Sequence, residues 1–324
     1  MKNVHRALLT ALLAAAAVPG LAEPVKIISA IRAAAPPVID GVLDDACWKT
    51  VEVREDLVSV TQSRPGRTVV RLAYDAGHLY VAVEVFGRDA TELDRGIAEF
   101  RQRPGLKTGW LPSYSSGFAN LYSIELFLDP GRSLRNHYQF LFNAADQACG
   151  HYRGQWNFPF APVPASACRV DDGCWREEFV FPLQTANGTE LKPGDEWGIN
   201  LARNDATQAA IWRPIDGDWN NPKEFGLLLI GSYSEWWDAR WTHGAAAEFD
   251  QSAEAVQRLG AKCRYLPDLY RLAREKAARV DSLAKRNPPV DSAAFQALDS
   301  AYADYCRYSD RLTGLIHTLE TDGK

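Results

Sequence analysis

Between Val25 and Gly231 apolar and polar residues alternate in short runs, and the runs are separated by Gly, Pro, Asn and Asp. Val69 to Tyr74 leads through Asp75-Ala76-Gly77 into His78 to Val85, the pattern of a β-hairpin with one apolar face. Ser123 to Asp129, His137 to Asn143, Glu177 to Leu183, Trp197 to Asn204 and Phe225 to Ile230 repeat the alternation. Side chains in a strand point to opposite faces in turn. Ile124, Leu126 and Leu128 therefore belong to a core, while Glu125 and Phe127 face away from it. By the same rule Gln139, Leu141 and Asn143 share a face, as do Asn200, Ala202 and Asn204. Many short strands with no helical period between them predict a mainly β fold, an antiparallel β-sandwich of jelly-roll or immunoglobulin-like type, over residues 25–232.

After Gly231 the period changes. Leu266, Leu269, Leu272, Ala273, Val280 and Leu283 recur at helical spacing. Asn287-Pro288-Pro289 then interrupts the run, and Phe295, Leu298, Tyr302, Tyr305, Leu312, Ile316 and Leu319 resume it. The spacing predicts an α-helical hairpin in a C-terminal region, residues 245–322. Trp236, Trp237 and Trp241 lie at the junction and are expected to pin the two parts together.

The N-terminus adds a compartment. Lys2, His5 and Arg6 precede an apolar run from Ala7 to Val18, and Gly20-Leu21-Ala22 supplies the small residues that a signal peptidase reads. Residues 1–22 are read as a signal peptide cut after Ala22, which makes the mature chain secreted or periplasmic and not membrane-embedded. Six cysteines in an exported chain suggest disulfides, although six allow 15 connectivities. The pairing favoured by position is Cys168–Cys174 across a turn, Cys263–Cys306 in the helical region and Cys47–Cys149 as the remainder.

A net charge of -5 argues against a nucleic-acid partner. Sequence motifs of serine hydrolases, zinc proteases and phosphate-binding loops are absent, so the chain is expected not to be an enzyme. The mature chain contains no methionine, which removes the usual His/Met pair for haem; His78, His137, His151, His243 and His317 leave only a bis-histidine arrangement. Asp40, Asp44, Asp45, Asp75 and Asp129 stand at turns, where capping of backbone amides is the default and a structural calcium the alternative.

Three segments carry a resemblance. Pro37-Val38-Ile39-Asp40-Gly41-Val42-Leu43-Asp44-Asp45-Ala46-Cys47-Trp48, Ser123 to Pro130, and Trp197 to Asp205 followed by Trp219 to Gly226 occur in the order found in family 9 carbohydrate-binding modules and their DOMON-like relatives, which the chain resembles from Pro37 to Ile230. The resemblance implies a non-catalytic module that binds a poly- or oligosaccharide between aromatic platforms, in support of carbohydrate catabolism. It places Trp219 on a clamp residue, Glu125 on an acidic sugar contact and Asn143 on an amide position. Asp216 and Tyr122 join them as neighbouring candidates. The family's second tryptophan, an arginine and a glutamine fall on Ala119, Leu141 and Ala202, which leaves Phe118, Tyr122 or Trp110 as candidates for the other platform. No cofactor is required. A protein partner bound through the C-terminal helices, with the sandwich as scaffold, is the competing reading.

Overall fold

The computed structural model describes residues 26–60, 66–87, 89–114, 118–119, 121–156, 158–186, 190–205, 209–215 and 220–321. The expected signal peptide and two of the candidate site residues, Asp216 and Trp219, lie outside them.

The strands are β1 (Ile27–Arg32), β2 (Val58–Ser59), β3 (Thr68–Tyr74), β4 (His78–Phe86), β5 (Gly109–Trp110), β6 (Ser123–Asp129), β7 (Tyr138–Asn143), β8 (Gln147–Tyr152), β9 (Ala165–Asp171), β10 (Cys174–Pro182), β11 (Glu196–Asn204), β12 (Ala209–Ile211) and β13 (Gly226–Ile230). They run in the order β5-β8-β7-β6-β11-β13-β1-β3-β4-β10-β9. The path folds over on itself at β1, whose first half pairs with β13 and whose last residues pair with β3, both in parallel. One sheet thus carries β5 to β13 and the other β3, β4, β10 and β9. Apart from the pairings of β1 and the β5–β8 pair, the ladders are antiparallel. The expected sandwich is present with this mixed seam.

Its core is the set of positions that the alternation selects. Leu72, Tyr74, Leu79, Val81, Val83, Trp175, Phe179 and Phe181 from one sheet meet Ile124, Leu126, Leu128, Phe140, Phe142, Ile199 and Leu201 from the other. The hairpin turn works as its sequence suggests, with Asp75 accepting from the Gly77 amide at 2.7 Å. Three other turn aspartates also accept from backbone amides: Asp40 from Val42, Asp45 from Val38, and Asp129 from Ser133 and Leu134. One helix, α1 (Ala90–Arg101), interrupts the expected all-strand region, capped by Asp89 and burying Leu93, Ile97 and Phe100. Its three apolar positions at i, i+4 and i+7 are a single stripe in a polar segment, too short to stand out as a period.

The helical part begins at Tyr233, earlier than the expected start at residue 245. Ser232 and Glu235 form a reciprocal capping box. From it run α2 (Tyr233–Trp237), a π-helical stretch Asp238–Ala245, α3 (Ala246–Leu259), α4 (Leu266–Arg286) and α5 (Ser292–Thr321). The α4–α5 hairpin turns at the two prolines as expected, and Lys276 meets Asp304 across it at 2.7 Å. Trp236, Trp237 and Trp241 pack against Phe295, Tyr302 and Tyr305 and cover Ile27, Leu227 and Leu229, the outer face of β1 and β13. Among the described residues no helix is long and apolar enough to cross a membrane.

The three cysteine pairs are a correction: all six thiols are free, and the geometry separates each pair. Cys168 stands opposite Glu177 and Cys174 opposite Asp171, so the pleat sends the two side chains to opposite faces. Cys47 packs with Tyr80 and Ala82 outside one sheet, while Cys149 packs with Leu141 outside the other, across the full sandwich. Arg258 pairs with Glu320, which sets the chain near Cys263 against the end of α5, about 20 Å along that helix from Cys306. Burial pushes the Cys149 and Cys168 thiols up to about 12 and the Cys174 thiol up to about 11. Exchange needs a thiolate, so these three resist oxidation where they lie.

Candidate functional site

The outer face of the β8-β7-β6-β11 sheet holds a polar stripe. Register places Glu125 between Leu141 and Ala202, and Gln139 between Phe127 and His151. Asn204, Glu125, Gln139 and His151 consequently step diagonally across four strands. The Asn204 amide donates to Glu125 Oε1 at 2.8 Å and the Gln139 amide to Oε2 at 2.9 Å. Beside them His137 Nε2 lies 3.2 Å from Asn220 Oδ1, and its ring is 6.0 Å from that of His151.

Apolar pads border the stripe on both sides. Phe127 and Ala202 lie under Ile211, Ile215 and Phe225. Leu141 and Cys149 lie under Leu111 and Phe118. Two positions where the family resemblance implies sugar contacts are thus occupied by apolar residues for a packing reason: loops fold onto them. The same loops narrow access, leaving Glu125 8%, Gln139 6%, His137 7% and His151 8% exposed. The stripe is nearly covered, and the little surface it keeps is shared among these four side chains.

Its electrostatics follow from that enclosure. Burial pushes the Glu125 carboxyl above its usual range, and the donors from Asn204 and Gln139 only partly pull it back. Burial and the neighbouring His137 push His151 below its ordinary value, which keeps that imidazole neutral near pH 7. His151 Nδ1 is buried without a hydrogen-bond partner among the described residues. A buried polar atom of this kind is where a ligand hydroxyl gains most.

The rim supplies aromatic surface. Trp156, half-buried, lies 4.9 Å from the His151 ring and 5.1 Å from that of Tyr114, which is 38% exposed. The β8–β9 connection holds Trp156, and the segment after β5 holds Tyr114; neither is on a strand, which is why period gave no signal for them. The platforms expected from the sequence are elsewhere. Trp110 packs against Phe140 and Phe160, and Phe118 is buried in a pad.

Of the candidate residues, Glu125 is in the stripe. Asn143 is a correction: its amide nitrogen donates to Ala119 O and Gln147 Oε1, and its oxygen accepts from the Ala145 and Gln147 amides. That set builds the β7–β8 turn and consumes the side chain. Tyr122 is a second correction. It is buried in the core against Phe100, with its hydroxyl over Gly96 of α1. A β-carbon at Gly96 would stand 2.1 Å from that hydroxyl, so the glycine is what lets Tyr122 in. Trp219 and Asp216 lie outside the described residues; of the residues that flank them in sequence, Ile215 is in the pad over Phe127 and Asn220 meets His137.

Two kinds of comparison returned nothing: no family model matches the chain, and no curated protein matches it. Among solved structures the chain is similar to a family 9 carbohydrate-binding module from Caldicellulosiruptor kristjanssonii in complex with glucose. The identity is 18% over 63% of this chain and 95% of that one, with a TM-score of 0.46. It is also similar to such a module from the same organism in complex with cellotriose, at 18% identity over 64% and 94% of the two chains, with a TM-score of 0.45.

Proposed function

We propose that this chain is an exported, non-catalytic carbohydrate-binding protein whose ligand enters at the edge of the Glu125 stripe and stacks on Trp156. One observation carries the reading. A carboxylate already oriented by two amides shares the stripe, across Gln139, with a buried imidazole nitrogen that has no partner among the described residues and stands under an aromatic rim. Each carboxylate oxygen retains a lone pair after accepting one amide, so vicinal hydroxyls can donate to it. His151 accepts or donates according to its tautomer. Trp156 and Tyr114 offer flat apolar surface to the C–H face of a pyranose.

The test is a screen of neutral oligosaccharides on folded protein, followed by calorimetry on the best of them. Trp156→Ala should weaken binding at least tenfold, about 1.4 kcal/mol, with little change in melting temperature. The ligand should be recovered chemically unchanged. Absence of binding to any neutral saccharide would overturn the reading.

Acidification gives a second check. Glu125 accepts hydroxyls as the carboxylate, and its raised pKa means that it takes up a proton at higher pH than an ordinary carboxyl. Affinity should therefore begin to fall above pH 4.5 as the solution is acidified, and Glu125→Gln should flatten that slope. Export is tested separately: the mature protein recovered from outside the cytoplasm should begin at Glu23.

A further inference from the structure

A different cleft opens at the end of the sandwich nearest the helices. It encloses about 570 Å³ between the turn that follows β6, the ends of β7 and β8, the start of β11, and the π-helical stretch. We infer that this cleft is a second saccharide site, one that takes an acidic sugar through Arg153. It rests on the reading that the protein binds carbohydrate, but not on the Glu125 stripe, which lies on the outer face while Tyr138 and Trp197 here belong to the core side.

Three features converge on it. The first is an aromatic wall: the rings of Tyr138 and Tyr152 stack with centroids 4.3 Å apart and an interplanar angle of 15°. The second is an arrangement of guanidinium groups. Arg132 and Arg240 share a single carboxylate, Glu196, at 3.7 and 3.3 Å. Arg153 lies 5.0 Å over the Tyr152 ring and pairs with no carboxylate among the described residues. The remaining acids are of two kinds. Asp129 and Asp195 accept from backbone amides, whereas Glu190 stands exposed at the wall. A ligand that carries both a carboxylate and hydroxyls matches this mixture, with the carboxylate on Arg153 and the hydroxyls on the acids. A hexuronate has both.

The third feature is backbone conformation. Arg132 and Arg153 have φ of 51°, a left-handed conformation that favours glycine, and both side chains are exposed. A glycine at either position would hold the turn without that strain. Arg240 comes from the π-helical stretch Asp238–Ala245, a rare geometry that turns side chains away from the α-helical register. The helical region thereby acquires a role: it completes a wall of the cleft.

Left-handed arginines also permit a clean test, because glycine there removes the charge while relaxing the backbone. Calorimetry would compare trigalacturonate, its methyl ester and a neutral cello-oligosaccharide on the intact protein. Wild type should bind trigalacturonate, and the methyl ester at least tenfold more weakly. Arg153→Gly should lose the same factor with an unchanged or higher melting temperature, whereas Trp156→Ala should leave trigalacturonate binding intact. Equal binding of acid and ester, no effect of Arg153→Gly, or no binding of trigalacturonate beside intact neutral-sugar binding would each overturn this site alone. Loss of trigalacturonate binding in Trp156→Ala would assign the acid to the first site and overturn the second. A protein that binds none of the three overturns both readings together.

Discussion

Glu178→Ala should destabilise the sandwich by about 3–5 kcal/mol, seen as a fall in the urea midpoint at neutral pH with little change in slope. Glu178 is on the outer face of β10 and holds the segment before the 3-10 turn Ala46–Lys49 against the sheet. Its Oε2 accepts from the Asp40 and Gly41 amides at 3.0 and 2.8 Å, and its Oε1 from Trp48 Nε1 at 2.8 Å. Truncation leaves buried donors unsatisfied at Gly41 and Trp48, at about 1–3 kcal/mol each, and frees the pad of Cys47, Trp48 and Val51. The segment has no alternative seat. Gly41 has φ of 79°, and a β-carbon there would lie 2.9 Å from Arg169 N. Glu178→Gln should fall between, because an amide offers one acceptor where the carboxylate offers two. A midpoint unchanged by Glu178→Ala would show that the segment is held by packing alone.

Most of the sandwich was legible because period two is a local property. The strands found for β3, β4, β6, β7, β11 and β13 lie within a residue or so of the alternating runs, and Trp48, Trp175 and Trp197 are only 3%, 0% and 6% exposed. The parallel seam at β1 was not legible. Pairing partners are chosen by the whole chain, and Ile27 to Arg32 reads the same in either sense. Both faces of β6 are buried although its sequence alternates, since the loops that cover Glu125 and Phe127 come from distant segments.

The site divides along the same line. Glu125 faces outward by counting, and does. Asn143 also faces outward, but counting cannot tell an amide that awaits a ligand from one that closes a turn; the turn Asn143-Ala144-Ala145-Asp146-Gln147 uses it three times and Ala119 O once. Tyr122 precedes a strand and has φ of 46°, a twist that throws its ring into the core, and nothing in its neighbours announces that. Trp156 and His151 were within reach: a histidine on the outward face of a strand, five residues before a loop tryptophan, is the pattern that marks this rim. The cysteines failed for a countable reason. Cys168 and Cys174 are six apart, yet the turn between them pairs 171 with 174, and this offset puts 168 and 174 on opposite faces.

Glu177→Gln should do the opposite of its neighbour and stabilise the fold at neutral pH, by about 1–3 kcal/mol if the buried unpaired oxygen sets the scale. Glu177 points into the core, where Trp175 Nε1 donates to its Oε2 at 3.0 Å and its Oε1 has no partner among the described residues. Burial drives its carboxyl well above the usual range; the Trp175 donor opposes this, Asp146 and Glu178 add to it, and Arg101 works against it. A carboxyl that holds its proton more tightly folded than unfolded contributes most below its ordinary value of 4.5 and loses that contribution as pH rises toward the folded value. At neutral pH the wild type either buries a charge with one donor or bears the cost of protonating it. Glutamine does neither, and retains an oxygen for Trp175. The gap between variant and wild type should therefore vanish below about pH 4 and open as pH rises, the reverse of the usual acid-denaturation slope. Urea midpoints for both proteins between pH 4 and pH 8 decide it: a constant gap, or a loss of stability at neutral pH, would mean that Glu177 is ionised and paired rather than held neutral in the core.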